Sequence, residues 1–478
     1  MARSRAQRRT AAAPPSGPRL FDLPAALLES ILLLLSLKAR VRFATTCRAA
    51  RQLVDDSWVL LLAIFSTCRS RTQSLALLRW LSAGCRNALW LNLSLTVQQV
   101  PIVRQLGQGI GMQGACLQIL DLRVHDGPLV LEGSWLSSLV RQRSLKVQAT
   151  AVELGSGCGQ LATLQHLNVS CGYEVPTDYP ILFGYYLLRP CTVAVQPGAI
   201  PPSLTNATFL CCAMPELPAA LSAATGLRQL RLERCAVRFG SAGPAAAPLM
   251  GPVLSSLTAL EKLELLRMRL TDDHSVPAQL AGLTHLQHLD LSDSLLCEGG
   301  EQALCSTFPH LSSLTFLSLA AGSTAGNLTA APGALPALRE LRLLLPSDCE
   351  DQRLPVLAAA PHLQHLMVCG STLLCDSNVE ALRTLPQLCS LAVQLPHTEE
   401  MWDAIDASGA LRLIDAIASL PALSYVLLMF QDKETEEDEH FGTILPGLQQ
   451  RNISVASMLS SDSMYLLLHW PVLYRPRY

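Results

Sequence analysis

The sequence is short of charge, of aromatic residues and of long apolar runs. Charged residues make up 15% of its 478 positions and aromatics 5%. Basic and acidic side chains nearly cancel, 36 against 38, for a net charge of -2. That balance excludes an overall electrostatic attraction to nucleic acid or to an anionic membrane. Apolar runs such as Ile31–Leu35 fall far short of the roughly 18–20 residues that span a bilayer, so no transmembrane helix is expected. Cys-x-x-Cys is absent although 16 cysteines are present, and only Cys211 and Cys212 are adjacent. They stand among Leu and Ala as core residues do, which predicts reduced thiols in a cytoplasmic or nuclear protein rather than a disulfide framework. Acids are missing from the first 19 residues, where Arg3, Arg5, Arg8, Arg9 and Arg19 lie among Ala, Ser and Pro. This reads as a disordered basic tail, and the same composition also suits a nuclear or organellar signal.

What is present in abundance is apolar: 50% of residues. From residue 20 to about 65 the pattern is helical. Asp22 can cap a first turn and Pro24 can occupy an early helical position. Leu27, Leu28, Ile31, Leu32 and Leu35 recur at three- and four-residue spacing, followed by Val41, Phe43, Ala44 and Cys47, and then Leu53, Val54, Trp58, Leu61 and Leu62. Three short helices can hardly bury enough surface to stand alone, so an exposed leucine ridge here predicts a partner.

These residues resemble an F-box. The ordered elements are Leu23-Pro24, Leu27-Leu28, Ile31, Leu35, Leu37, Cys47-Arg48 and Trp58. The chain departs from the family pattern at Ala26, at Lys38-Ala39-Arg40 and at Ala50. The resemblance implies docking on the Skp-type adaptor of a cullin ubiquitin ligase, with Leu23, Pro24, Leu27, Leu28 and Ile31 facing the adaptor.

A second pattern fills residues 66–460, and is degenerate over 66–160 and 171–210. The phrase is apolar, two variable, apolar, one variable, apolar. It reads Leu164-Gln-His-Leu167-Asn-Val169, then Leu227-Arg-Gln-Leu230-Arg-Leu232, and on to Leu388-Cys-Ser-Leu391-Ala-Val393. Its central residue recurs at 230, 263, 289, 317, 341, 366 and 391, which are steps of 33, 26, 28, 24, 25 and 25. A step near 20–29 with this phrase is the leucine-rich-repeat signature. The expected fold is therefore α/β: an irregular leucine-rich-repeat horseshoe behind a small all-α module, with residues 461–478 as a C-terminal cap. Each phrase is a short strand, and Leu217-Pro218 to Ala224, Val276-Pro277 to Gly282 and Leu354-Pro355 to Ala360 suit one or two convex helical turns. At the ninth place, where such repeats usually carry Asn or Cys, stand Cys235 but also Gly172, Ser294, Gly322 and Ser371. A regular asparagine ladder is therefore not expected.

No constellation for catalysis, metal or cofactor emerges. Gly155-Ser-Gly-Cys-Gly159 lacks the Lys and Ser/Thr of a phosphate loop. His285 with His288, and His362 with His365, lack the further ligands of a zinc site. Asp432–Glu439 reads as a solvated acidic loop. Tyr173, Tyr179, Phe183, Tyr185 and Tyr186 crowd an insertion that packs over an irregular turn or serves as a contact loop.

Strand alternation does give one candidate surface. Residues flanking each central Leu point outward onto the concave face. These are His166, Asn168, Gln229, Arg231, Lys262, Glu264, His288, Asp290, Phe316, Glu340, Arg342 and His365. Both signs, an aromatic and, at Met367, a methionine suit a protein partner better than a polyanion. The functional expectation is a non-enzymatic substrate-recognition subunit that binds an adaptor through the F-box and an unknown target protein on the repeats. A repeat scaffold with no ligase role is the alternative.

Overall fold

The computed structural model describes residues 27 and 31 of the N-terminal 89, and then residues 90–95, 117–172, 191–237, 250–320, 330–394, 413–430 and 453–459, with gaps inside the longer spans. Fourteen of the strands form one parallel sheet. In sheet order they are β1 (Trp90–Leu95), β2 (Ile119–Val124), β4 (Ser144–Ala149), β6 (His166–Cys171), β8 (Asn206–Leu210), β10 (Gln229–Glu233) and β11 (Lys262–Leu266). There follow β13 (His288–Leu291), β15 (Phe316–Ala320), β16 (Glu340–Leu344), β17 (His365–Cys369), β18 (Ser390–Gln394), β19 (Tyr425–Phe430) and β20 (Ser454–Leu459). Neighbours in the sheet are successive repeats. The core is accordingly a ladder of stacked leucines rather than a single nucleus: Leu230, Leu263, Leu289, Leu317, Leu341, Leu366 and Leu391 are paired rung to rung and buried.

Each repeat buries this ladder only against its neighbours. Leu289 is 0% exposed. Leu289→Ala is expected to cost about 2–5 kcal/mol, as core truncations do, and His288→Ala on the opposite face about 1 kcal/mol. Urea titration compares the two; equal losses would shift the strand register by one residue.

The connections after the strands differ along the chain. In the N-terminal repeats the chain turns directly into a second parallel ribbon, β3 (Pro128–Leu131), β5 (Ala151–Leu154), β7 (Cys191–Val195) and β9 (Cys212–Ala213). A shorter pair, β12 (Arg269–Leu270) with β14 (Leu295–Leu296), forms after β11 and β13. Further on, short helices take over: α1 (Leu217–Leu221), α2 (Met250–Ser256), α3 (Ser275–Leu280), α4 (Gly300–Thr307), α5 (Val356–Ala359) and α6 (Asp376–Arg383). Three of them fall where Pro followed by Ala and Leu predicts a turn of helix. In α1, Pro218 stands at the first turn, where its missing N–H has no partner to lose. The glycine run before β6 is also structural. A Cβ on Gly159 would sit 1.7 Å from the Gly198 carbonyl oxygen, so two backbone turns meet there and only glycine fits.

The turn after the strand is held by a ladder built from other atoms than asparagine. Cys212 Sγ lies 3.7 Å from the Val169 carbonyl of the preceding repeat, and Cys235 Sγ lies 3.2 Å from that of Phe209. Met268 Sδ accepts from the Cys235 N–H at 3.3 Å, and Ser294 Oγ accepts from the Met268 N–H at 3.0 Å while donating to the Leu265 carbonyl. Thiols and a thioether are weaker partners than an amide, which leaves the turn cross-linked but less rigidly so. The residue just before this ladder is left-handed in three repeats without being glycine: Cys211 (φ 56), Arg234 (φ 52) and Arg267 (φ 54). A side chain pays about 1–2 kcal/mol there. Arg234→Gly relieves it at the cost of a looser unfolded chain, and is expected to raise stability by about 0.5–1 kcal/mol in denaturant titrations.

Candidate interaction surface

The parallel register carries one row of outward side chains from strand to strand. It runs Trp90, Ile119, Ser144, His166, Asn206, Gln229, Lys262, His288, Phe316, Glu340, His365, Ser390, Tyr425 and Ser454. A second row two residues on includes Asn92, Asp121, Lys146, Asn168, Thr208, Arg231, Glu264, Asp290, Ser318, Arg342 and Met367. Each concave-face residue predicted from alternation thus lies in one of two adjacent rows.

At the centre these residues are tied to one another. Lys262 Nζ is 2.9 Å from Glu264 Oε1, and Arg231 reaches Glu233 at 2.6 Å and Glu264 at 3.7 Å. His288 stacks on Phe316 with centroids 3.9 Å apart and planes 5° from parallel. Arg342 covers Phe316, its guanidinium carbon 5.0 Å from the ring centroid, and pairs with Glu340 at 2.7 Å. His365 Nδ1 meets Ser390 Oγ at 2.6 Å. The result is a pre-organised ridge in which cations, carboxylates and rings are already matched.

Burial pushes the Glu264 carboxyl up, but the adjoining His288 ring, the Lys262 ammonium and the Arg231 guanidinium outweigh it and hold the group at about 2. His365 moves down through burial, against the pull of Glu340. The sign for Glu264 is that of a depressed acid: its contribution is present above the unfolded carboxylate range and is lost as pH falls from about 4.5 toward 2. Glu264→Gln is therefore expected to flatten the acid limb of the stability curve between those values, and parallel urea titrations from pH 5 to pH 2.5 measure it.

Glu264, His288 and Asp290 bring three potential ligand atoms within 4.8 Å of one another. Lys262 holds Glu264 Oε1, so a metal ion would have to displace that ammonium. His285 and His362 are exposed ahead of their strands, while His288 and His365 stand in the concave row. Neither histidine pair converges.

Beyond the centre the face changes character. Met367, Cys369, Ala392 and Leu427 form a separate apolar cluster on the outward side, with Leu344 and Tyr425 beside it. Toward the N-terminus the second row is polar, and Asn92 and Asp121 are buried. Sequence reasoning did not reach these positions. Leu91–Leu93 and Leu117–Leu122 are weaker copies of the repeat phrase, and stepping back along the register from Asn168 leads through Lys146 to Asp121 and then Asn92.

In the N-terminal module, Leu27 and Ile31 are helical, one turn apart, and exposed at 52% and 37%. Leu23, Pro24 and Leu28 lie outside the described residues, as do the tyrosine-rich stretch 173–186, the acidic run 432–439 and residues 461–478. Among the described residues no helix is long and apolar enough to cross a membrane.

Residues 20–62 match the family model for the F-box domain. The chain combines an F-box with leucine-rich repeats. Solved structures that it is similar to include a leucine-rich-repeat protein of Leptospira interrogans, with 15% identity, a TM-score of 0.44 and coverage of 78% of this chain and 91% of that one. An internalin C2 of Listeria monocytogenes is similar at 15% identity and a TM-score of 0.29, over 46% of this chain and 76% of that one. At these scores neither likeness adds to what the strand register of this F-box, leucine-rich-repeat chain establishes. No curated protein matches it.

Proposed function

We propose that this chain is the substrate-recognition subunit of a Skp/cullin/F-box ubiquitin ligase. The F-box holds the Skp-type adaptor and through it the cullin, and the concave repeat face holds a target protein. Leu23, Pro24, Leu27, Leu28 and Ile31 form the adaptor ridge. The rows from His166 to His365 form the target surface. The chain performs no chemistry; tethering raises the target's effective concentration near the ubiquitin-loaded enzyme.

The observation that carries this reading is the pair Leu27 and Ile31. Two large apolar side chains one helical turn apart, exposed at 52% and 37% in a segment that matches the F-box, are what an adaptor would cover. Co-expression with a Skp-type adaptor tests it. A complex that survives size exclusion and captures a cullin supports the reading. A chain that elutes free of adaptor leaves a leucine-rich-repeat scaffold without a ligase role.

A further inference from the structure

The N-terminal end of the concave face holds buried acceptors with nothing to accept from. Asn92 (β1), Asp121 (β2), Lys146 (β4) and Asn168 (β6) are register partners on four adjacent strands. Asn92 is 3% exposed and Asp121 6%. The Asn92 amide donates to Asp121 Oδ2 at 3.2 Å, and Arg123 NH2 approaches the same oxygen at 3.6 Å. Both partners therefore crowd one carboxylate oxygen. Asp121 Oδ1, Asn92 Oδ1 and Asn168 Oδ1 are all buried without a hydrogen-bond partner.

Such a row is unusual, because buried polar groups are normally satisfied and an unmet acceptor carries its full desolvation penalty. Asn92 and Asp121 stand on adjacent strands, about 4.8 Å apart, and Asn168 follows in the same row one strand beyond Lys146. Two of the acceptors are neutral amide oxygens and one is a carboxylate oxygen. All three can take only donors, and the carboxylate favours a cation. Ile119, first on β2 and 39% exposed, lies in the adjacent row and offers an apolar rest for an alkyl stem.

The centre of the face gives the contrast. Arg231, Lys262 and Arg342 are each matched there to Glu233, Glu264 or Glu340. Those cations are not available to an acidic or phosphorylated ligand unless an ion pair opens.

We infer that the Asn92–Asp121–Asn168 row is a subsite for an arginine- or lysine-bearing segment of the bound protein. Guanidinium fits best. It offers five donors, accepts nothing, and its planar fork spans oxygens on adjacent strands. Because these oxygens are buried, an incoming group has to displace neighbouring side chains to reach them. The inference deepens the proposed function and rests on its concave-face half; it does not depend on the F-box half.

The test uses the full chain, with adaptor when the two co-purify, and a fluorescent acetyl-Arg-Ala-Arg-Ala-Arg-amide peptide read by anisotropy. The same peptide with citrulline, and with glutamate, in place of arginine measures the charge requirement. The arginine peptide is expected to bind, with a marked loss for citrulline and no binding for glutamate. Asp121→Asn should weaken it about tenfold, the effect of losing a charge-assisted hydrogen bond. Asn168→Ala, away from the buried carboxylate, should weaken it about fivefold and covers the case in which Asp121→Asn fails to fold. Glu380→Gln, an exposed acid on α6, should change nothing. Equal binding of the three peptides overturns the inference, as does an equal loss in Asp121→Asn and Glu380→Gln, which would mean non-specific attraction. Unchanged binding in both row variants overturns it too and assigns the acceptors to ordered water. Peptide binding by a chain that retains no adaptor fails the ligase reading and leaves this one standing. Adaptor retention without peptide binding does the reverse.

Discussion

Leu27→Asp combined with Ile31→Asp is expected to abolish retention of the Skp-type adaptor. Both side chains project from one helical face, and at 52% and 37% exposure neither belongs to the core. The substitutions therefore spare the fold, and circular dichroism should overlay that of the unaltered chain. In a complex the same positions would be sealed against an apolar partner. Burying an unpaired carboxylate costs several kcal/mol, and two on adjacent turns exceed what a single short interface segment contributes. Affinity should fall by at least about a hundredfold, enough to lose the adaptor during size exclusion. Leu27→Ala with Ile31→Ala should weaken the complex less, since it removes contact area without adding charge. An aspartate double variant that co-elutes with adaptor as the unaltered chain does would place the docking ridge elsewhere in residues 20–62.

The repeats were legible because their signal is periodic and local. A leucine every 24–33 residues, flanked by outward polar positions, specifies both the strand and its face, and the register from Leu230 to Leu391 follows it. Legibility failed where another residue takes the leucine's place. Strand β4 has no leading leucine: Gln142 stands there, fully buried, its amide donating to the Gln118 carbonyl at 3.1 Å and to that of Ser144. A polar residue at an apolar place hides the repeat from a pattern search, although the fold satisfies much of it through the backbone. The long interval between Leu167 and the degenerate copy at Ala207 is a single step of the sheet: β6 pairs directly with β8, and the intervening β7 belongs to the second ribbon. Of the surface, the positions were legible and the couplings were not. Alternation puts Arg231, Lys262 and Arg342 on one face, but which carboxylate each engages depends on strand neighbours that the period alone does not fix.

Those couplings decide what charge reversal does. Arg342→Glu is expected to unfold the centre of the horseshoe rather than to remove one contact with a target. The Arg342 residue is 9% exposed, with Nε 2.8 Å and NH2 2.7 Å from Glu340 Oε1 and the guanidinium over Phe316. A glutamate there sets two carboxylates side by side in a partly dry site, removes the cation from the ring, and leaves Glu340 uncompensated. Breaking a buried pair from one side costs about 3–5 kcal/mol. The exposed pair Arg228–Glu261, at 3.1 Å and with side chains 62% and 39% exposed, provides the comparison. Arg228→Glu should cost no more than about 1 kcal/mol, because water screens it. Denaturant titration of both variants measures the difference, read region by region because repeat arrays need not unfold in one step. Similar midpoints would show that Arg342 is as solvated as Arg228 and that the central ridge contributes nothing to stability. A large separation means that loss of target capture in Arg342→Glu reports a collapsed face. Target contacts are then better probed with Gln229→Ala or His166→Ala, whose exposed side chains can be removed without opening an ion pair.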